Sequence, residues 1–175
     1  MGLAEQLGYE LSAPTRAQLA VHAVGTTRAG AWLLARTLPT LDAVLQRMTR
    51  DRQTLPELVA ALPVINLTTT GRRSGLPRAA RLIGIPFSEG LVVVGTNFGQ
   101  QGTPAWALNL ESDHRATVSY RAASVEVVAR LLTGRERDEA LAEAALIYAG
   151  YGVYQRRITG RRVRVFLLER PGSKG

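Results

Sequence analysis

From residue 63 onward, short runs of apolar and β-branched residues follow one another and are separated by tight turns. In one run, Val125, Val127 and Ala129 alternate with Glu126 and Arg130, the pattern of a strand with one buried face. The predicted strands span residues 63–70, 77–86, 91–97, 115–121, 124–132 and 162–169. Because hairpins join many of these strands, the pattern favours an antiparallel α+β barrel, in which closure removes the exposed sheet edges.

Predicted helices precede and interrupt these strands. Before the strands, helix-start signals and apolar periodicity predict helices that begin near Pro14, Pro39 and Thr54. Among the strands, one helix is predicted to begin at Thr103 and another at a capping box that starts at Thr133. Residues 1–12 have no clear pattern and are expected to form a loose arm. We expect a single domain, in which a helical segment over residues 1–62 packs on a barrel over residues 63–170.

The composition excludes some kinds of site and leaves the partner open. The chain has no cysteine, which excludes disulfides and thiolate chemistry, and His22 and His114 lack partners at metal-ligand spacing, so no metal is expected. The net charge of +8 would suit an anionic ligand, nucleic acid or an anionic membrane. Neither a membrane-spanning run nor a signal-peptide pattern is seen, so we expect a cytoplasmic protein. Membrane association of the N-terminal helices stays open.

The turn between the first two predicted strands concentrates positive charge. It lies within Leu67–Arg78, is bounded by Gly71 and Gly75, and follows three threonines. Four arginines and no acidic residue lie between positions 71 and 81. Guanidinium groups, hydroxyls and free backbone N–H groups in a turn bind phosphates and carboxylates, so the sequence predicts an anion site. A solvated basic hairpin tip is the alternative interpretation.

Three parts of the chain carry a more specific pattern. They are L-T-T-T-G-R-R-S-G-L-P-R at 67–78, then V-V-V-G-T-N at 92–97 with T-P-A-W-A-L-N-L at 103–110, and Y-A-G-Y-G-V-Y-Q-R-R at 148–157. As an ordered set, they resemble the deazaflavin-dependent nitroreductase family, whose members use reduced coenzyme F420, an 8-hydroxy-5-deazaflavin. The resemblance covers residues 41–170. It implies an α+β, antiparallel split β-barrel of the FMN-binding split-barrel type, with N-terminal helices and two inserted helices.

The resemblance also implies an activity and a site. The activity is hydride transfer from reduced F420 to a small organic acceptor of the quinone or nitro class. Carried over position by position, the residues implied to hold the phosphate and acidic tail of the cofactor are Arg72, Arg73, Ser74 and Arg78. Those implied to line or cover its ring are Ala79, Ala80, Arg81, Leu82, Ile83, Val94, Gly95, Thr96, Asn97, Ala105, Trp106, Ala107, Leu108, Asn109 and Tyr151.

Among these positions, Thr96, Trp106 and Tyr151 are the candidate catalytic residues. A tyrosine hydroxyl can serve a buried acceptor as a hydrogen-bond or proton donor. Tyr148, Tyr151 and Tyr154 are spaced to share one side of a helix, and the roles of Tyr148 and Tyr154 are left undecided. Without the resemblance, core packing is the more common role for such aromatic side chains.

Two other functions stay open. The same fold could hold flavin mononucleotide instead of F420. Alternatively, the chain could be a basic non-catalytic module that binds nucleic acid or an anionic membrane, with a second arginine cluster formed by Arg156, Arg157, Arg161, Arg162 and Arg164. This cluster lacks interleaved aromatic residues and fits a solvated edge strand, so nucleic acid is not expected as a partner. The sequence does not decide between a monomer and a homodimer.

Overall fold

The structure, a computed structural model, describes residues 2–9, 64–148 and 150–172. In chain order, its elements are α1 (Leu3–Leu7), β1 (Val64–Thr70), β2 (Pro77–Ile83), β3 (Ile85–Phe87), β4 (Gly90–Val94), a 3₁₀ turn (Asn97–Gly99), α2 (Ala105–Ser112), β5 (Arg115–Tyr120), β6 (Ala123–Leu131), α3 (Gly134–Ile147), α4 (Gly150–Arg157) and β7 (Val165–Glu169).

The strands form one antiparallel sheet in the order β2-β1-β5-β6-β7-β4-β3. The two strands at the ends of this order, β2 and β3, are consecutive in the chain and are separated only by Gly84. The sheet therefore curls until its ends meet at that corner, and the expected α+β split β-barrel is confirmed.

The strands bury both of their faces where helices cover the outside of the barrel. Along β4, Leu91 and Val93 join one apolar cluster, whereas Val92 and Val94 join another, because successive side chains point to opposite faces. We call the first cluster the inner core, since its buried residues come from five strands of the curled sheet; among its members are Ile65, Leu67, Val118, Val127 and Phe166. The second, the outer core, lies between the sheet and helices α3 and α4; among its members are Ile85, Leu132, Ala140, Ala144, Tyr151 and Leu167.

The predicted strands are all present, with shifts at their ends. The run predicted over 77–86 divides at Gly84 into β2 and β3, and the last strand begins at Val165 instead of residue 162. The helix expected from Thr103 begins at Ala105, with Pro104 as its N-cap. Thr133 does precede α3, but its side chain makes no capping hydrogen bond, so the predicted capping box is wrong in that respect.

The expectation of a loose N-terminal arm is wrong for residues 2–9. Leu3 is fully buried and Leu7 nearly so, both in the inner core. The backbone N–H of Leu3 donates to the carbonyl oxygen of Glu89 at 2.8 Å. The Tyr9 hydroxyl donates to the carbonyl of Gly84, the corner residue between β2 and β3. This short segment therefore closes one end of the barrel.

The helices predicted near Pro14, Pro39 and Thr54 lie outside the described residues, and so does most of the 1–62 segment that we expect to pack on the barrel. Within the described ranges, no helix is long and apolar enough to cross a membrane. The longest of them, α3, has 14 residues.

Candidate functional site

The β1–β2 turn is held by its own hydrogen bonds. The N–H of Gly71 donates to the carbonyl of Leu76 at 2.9 Å, and the carbonyl of Gly71 accepts from Ser74 and Gly75. A Cβ atom at Gly71 would lie 2.8 Å from Oγ of Ser74, and Gly75 has a φ of +67°. The turn therefore favours glycine at both positions, at the first for space and at the second for its left-handed backbone.

Backbone amides of this turn are largely used inside the protein. The N–H groups of Gly71, Ser74 and Gly75 have carbonyl acceptors, that of Leu76 donates to Oγ of Ser74, and that of Arg72 donates to the side chain of Asn109. The prediction that free backbone N–H groups would form the anion site is therefore wrong for these five positions. What the turn presents is side chains.

Those side chains are well suited to an anion. Arg72, Arg73, Ser74 and Arg78 are all exposed. Within the part of the chain that the structure describes, the guanidinium groups of Arg72, Arg73 and Arg78 make no ion pair and no hydrogen bond. Three unpaired guanidinium groups on one turn can bind a phosphate or carboxylate by charge-assisted hydrogen bonds.

Asn109 connects this turn to α2. Its Oδ1 accepts the N–H of Arg72 at 3.1 Å, and its Nδ2 donates to Oγ1 of Thr69 at 3.0 Å. The Thr69 hydroxyl in turn donates to the carbonyl of Arg78 at 3.3 Å. Both Asn109 and Thr69 are buried, so the network is protected from water. It fixes the two ends of the basic turn to one helix.

The second strand presents alternate residues to the two faces of the barrel. Ala80 and Leu82 pack against the inner core, and Ile83 packs against the outer core. Arg81 is half-buried, and burial lowers the pKa of its guanidinium group. Pro77 to Ala79 are exposed at the turn end of the strand. The predicted ring-lining strand thus runs from the basic turn to the outer core.

The segment after β4 lies beside α2 and α4, the helices that carry Trp106 and Tyr151. Val94 belongs to the outer core, and Thr96 is only 5% exposed. Gly95 is buried, and a Cβ atom there would lie 3.8 Å from Cβ of Ala107 in α2. Nδ2 of Asn97 donates to the carbonyl of Gly102 at 3.1 Å, which closes the loop that follows.

The three tyrosines do lie together, although they do not share one helix. The backbone leaves the helix at Tyr148, and α4 begins at Gly150. The hydroxyls of Tyr148 and Tyr154 are 3.1 Å apart, and the ring of Tyr148 stands edge-on to that of Tyr151 at 5.5 Å. The meeting of the side chains thus depends on the break between the helices.

Tyr151 is a buried titrating group of the predicted site. It is 6% exposed, and within the described residues its hydroxyl makes no hydrogen bond. Burial, and secondarily the neighbouring Tyr154, raises the pKa of Tyr151 well above its usual range. Burial likewise raises the pKa of Tyr148 and Tyr154. The Tyr151 hydroxyl is therefore neutral at physiological pH and available to donate a hydrogen bond.

Trp106 does not lie with the three tyrosines. It is 8% exposed and belongs to the inner core, where its ring meets that of Phe166 edge-on at 6.1 Å. Tyr151 and Val94 belong to the outer core, on the opposite face of the sheet. The structure thus brings Ile83, Val94 and Tyr151 into one cluster but does not bring Trp106 into it. The rest of α2 follows the same pattern, with Ala107 fully buried, Leu108 half-buried and Ala105 exposed.

The second arginine cluster is not a solvated edge strand, so that interpretation is wrong. The strand β7 lies between β6 and β4 in the interior of the sheet. Arg164 pairs with Glu111 at 2.8 Å, and Arg161 donates to three backbone carbonyls. A local run of arginines carries no signal that one of them, Arg161, turns inward to the backbone.

Known proteins are similar to this chain in sequence and architecture. The family described as F420H(2)-dependent quinone reductase matches residues 42–170. A solved F420-H2-dependent reductase, FDR-A, is 29% identical and has a TM-score of 0.56, over 61% of this chain and 94% of that one. A second structure, described as a domain-swapped dimer, is 27% identical and has a TM-score of 0.58, over 75% of this chain and 99% of that one.

Proposed function

The chain belongs to the F420H2-dependent quinone reductase family, and from this membership we propose that it transfers a hydride from reduced coenzyme F420 to a small quinone or nitro compound. The family match covers about three quarters of the 175 residues. Coenzyme F420 is the cofactor of the family, and an oxidised organic molecule is the acceptor. The assignment of individual residues to this reaction is our proposal.

One observation on this chain carries the proposal: the β1–β2 turn offers unpaired arginines for an anionic cofactor tail. The guanidinium groups of Arg72, Arg73 and Arg78 have no partner among the described residues, and Asn109 fixes the turn that bears them. The phosphate and acidic tail of F420 fit this donor set. Contacts to the tail do not change during the reaction, so they contribute to cofactor affinity and not to the chemical step.

The outer face of β2 leads from this turn toward an apolar wall. We propose that Ile83, Val94 and Tyr151 form the part of the site that holds the ring and excludes water, since Val94 and Tyr151 belong to the outer core and Ile83 packs against it. When bound, reduced F420 supplies the hydride. The protein supplies position and a dry environment for its transfer.

Tyr151 is proposed to serve the acceptor. Hydride transfer to a quinone or nitro group leaves negative charge on an acceptor oxygen, and a neutral buried hydroxyl can donate a hydrogen bond to that oxygen. The raised pKa of Tyr151 favours a hydrogen-bond donor over a group that gives up its proton completely. In that case the proton that completes the reduction comes from water.

Thr96 and Trp106 are proposed to act from two other positions. Thr96 is buried at the end of β4, next to Val94, and would border the ring. Trp106 lies on the inner face of the sheet, so its position supports a role in fixing α2 more than direct contact with the same ring face as Tyr151. Each role can be separated by measuring cofactor affinity and turnover for the same variant.

The test of the function is a titration of purified protein with F420, followed by quenching of the cofactor's fluorescence. We expect saturation below tens of micromolar, and reduced F420 should be oxidised when a quinone such as menadione is added. A protein that fails to bind F420 at those concentrations would refute the proposal. The flavin alternative predicts instead a yellow preparation with flavin absorbance as purified.

The nucleic-acid alternative loses its second arginine cluster as support. Arg161 and Arg164 make contacts inside the protein and do not form a continuous exposed basic surface with their neighbours. If it held, affinity for duplex DNA would fall steeply with salt concentration. Similarity to a structure described as a domain-swapped dimer supports a homodimer, which light scattering of the purified protein would distinguish from a monomer.

A further inference from the structure

Arg161 binds the loop that follows β4 at three points. Its Nη1 donates to the carbonyl of Gly95 at 3.1 Å, and its Nη2 donates to the carbonyls of Thr96 at 3.2 Å and Gln100 at 3.0 Å. The residues joined in this way are at least 61 positions apart in the chain. The side chain is partly buried, and burial lowers the pKa of its guanidinium group. A charged group in such a place is retained where its contacts compensate for lost hydration.

The same loop is joined to the end of α4 by a second set of contacts. The Gln101 side chain donates to the carbonyl of Arg157 at 3.0 Å and accepts the N–H of Thr159 at 3.2 Å. A Cβ atom at Gly99, where φ is +80°, would lie 3.4 Å from the ring of Tyr154. The 3₁₀ turn therefore packs directly on the helix that carries Tyr151 and Tyr154.

We propose that Arg161 is a positioning residue, which with Gln101 fixes the 95–101 loop to the end of α4 and the segment that follows it, and so sets Thr96 relative to Tyr151. This inference rests on the proposed function, because Thr96 and Tyr151 are proposed to face the cofactor and the acceptor. Arg161 itself touches backbone carbonyls and not the reacting molecules. The two sets of contacts make the loop and the helix one unit.

An arginine is required because the contacts come from one rigid plane. The guanidinium group presents several N–H donors in a fixed arrangement, and these reach three carbonyl oxygens on one loop. A lysine keeps the charge but has a single ammonium group on a flexible stem, so it cannot hold the three carbonyls in the same geometry. Arg161→Lys is thus expected to behave more like Arg161→Ala than like the wild type.

Amide hydrogen exchange tests the contacts without any cofactor. The N–H groups of Gly99 and Gln100 donate within the loop, to Thr96 and Asn97, and report its opening. In Arg161→Ala they should exchange at least about tenfold faster than in the wild type. The control is Arg162→Ala, which removes an equal charge from an exposed neighbour and should leave the exchange unchanged. Unchanged loop exchange in Arg161→Ala would overturn the inference.

Kinetics test the consequence for the site. Because small misplacements of reacting groups have large effects on rate, kcat of folded Arg161→Ala should fall by roughly 10- to 100-fold. Guanidinium ion at low millimolar concentration should restore part of this loss, and should not raise kcat of the wild type. If the loop exchanges faster while kcat and F420 affinity match the wild type, the positioning role is wrong.

Failure of the proposed function and failure of the positioning role give different results. If the wild type neither binds F420 nor oxidises reduced F420, the proposed function fails, while the exchange experiment still decides whether Arg161 holds the loop. Should Arg161→Ala not fold, Gln101→Ala removes the second set of contacts and leaves the guanidinium in place. Gln101→Ala should give the same acceleration of exchange at Gly99 and Gln100. Exchange at the wild-type rate in this variant would count against the inference.

Discussion

The side-chain carbonyl of Asn109 accepts the backbone N–H of Arg72 across 37 positions of sequence, at a distance of 3.1 Å. The amide of the same side chain donates to Thr69, so both of its ends are used within the protein. Asn109 follows Trp106 by one helical turn, so the short helix that contains the tryptophan also holds the basic turn by a hydrogen bond. We infer that Asn109 influences cofactor binding by holding the turn in place.

Replacing Asn109 should therefore weaken cofactor binding without removing a contact to the cofactor. Asn109→Ala leaves the Arg72 N–H and the Thr69 hydroxyl without their partner and should lower the free energy of unfolding by about 1–3 kcal/mol. The Kd for F420 should rise in parallel, because the turn loses its fixed position. Urea denaturation and F420 titration measure the two effects. Ser112→Ala, an exposed change on the same helix, is the control and should alter neither.

Removing a single guanidinium group from the turn should affect affinity and leave the chemical step intact. Arg78→Ala is expected to weaken F420 binding by roughly 1.5–3 kcal/mol, the contribution of a charged hydrogen bond. The value of kcat at saturating cofactor should change little. Arg121→Ala removes the same charge from the β5–β6 turn and should leave Kd unchanged. Equal losses in the two variants would indicate general electrostatic attraction in place of a tail site.

Removing the Tyr151 hydroxyl should lower kcat and leave cofactor affinity nearly unchanged. Tyr151→Phe keeps the buried ring and should bind F420 nearly as well as the wild type. If the hydroxyl donates to the developing oxygen charge of the acceptor, kcat should fall by roughly 10²-fold or more. Steady-state kinetics with a quinone acceptor provide the measurement, with Tyr120→Phe, in the inner core, for comparison. Full turnover by Tyr151→Phe would leave this tyrosine with a packing role only.

Stability should decline in alkaline solution because of the three tyrosines. Burial is the main cause that raises the pKa of Tyr148, Tyr151 and Tyr154 in the folded protein. The unfolded chain releases these protons near the ordinary pKa of about 10, whereas the folded protein retains them. Their contribution is thus complete below about pH 10 and is lost as the pH rises toward the folded-state values.

The measurement is the free energy of unfolding by urea at a series of pH values up to about 11. The wild type should lose stability above about pH 10, and Tyr151→Phe should lose less over the same interval because it has one buried phenol fewer. An identical pH dependence for the two proteins would show that Tyr151 ionises as easily when folded as when unfolded.

Much of the barrel could be predicted because its signals are local. The alternation of Val125, Val127 and Ala129 predicts β6, and the glycines at 71 and 75 predict the basic turn. Nothing local reveals that the last strand inserts between β6 and β4, since strand order depends on contacts far apart in sequence. The interpretation of the second arginine cluster as a solvated edge strand is wrong for this reason.

Two further features of the structure could not be predicted from the sequence, for different reasons. The helix α1 has only five residues, too few for apolar periodicity, so the burial of Leu3 and Leu7 had no recognisable signal. The predicted site combined Trp106 and Tyr151 because they occur in one ordered set of motifs. Trp106 belongs to the inner core with Val93, whereas Tyr151 belongs to the outer core with Val94, on the other face of β4.

The interior position of β7 also constrains how this chain can fold as it is synthesised. Among the described strands, β7 comes last in the chain, and it alone joins β6 to the β3–β4 hairpin. Until β7 has been made, β2-β1-β5-β6 and β4-β3 are two separate groups of strands. The β3–β4 hairpin can pair with β7 only after more than 70 further residues have been synthesised. Pairing over such long separations is slow, so chains shortened before Val165 should accumulate as partly paired, aggregation-prone species.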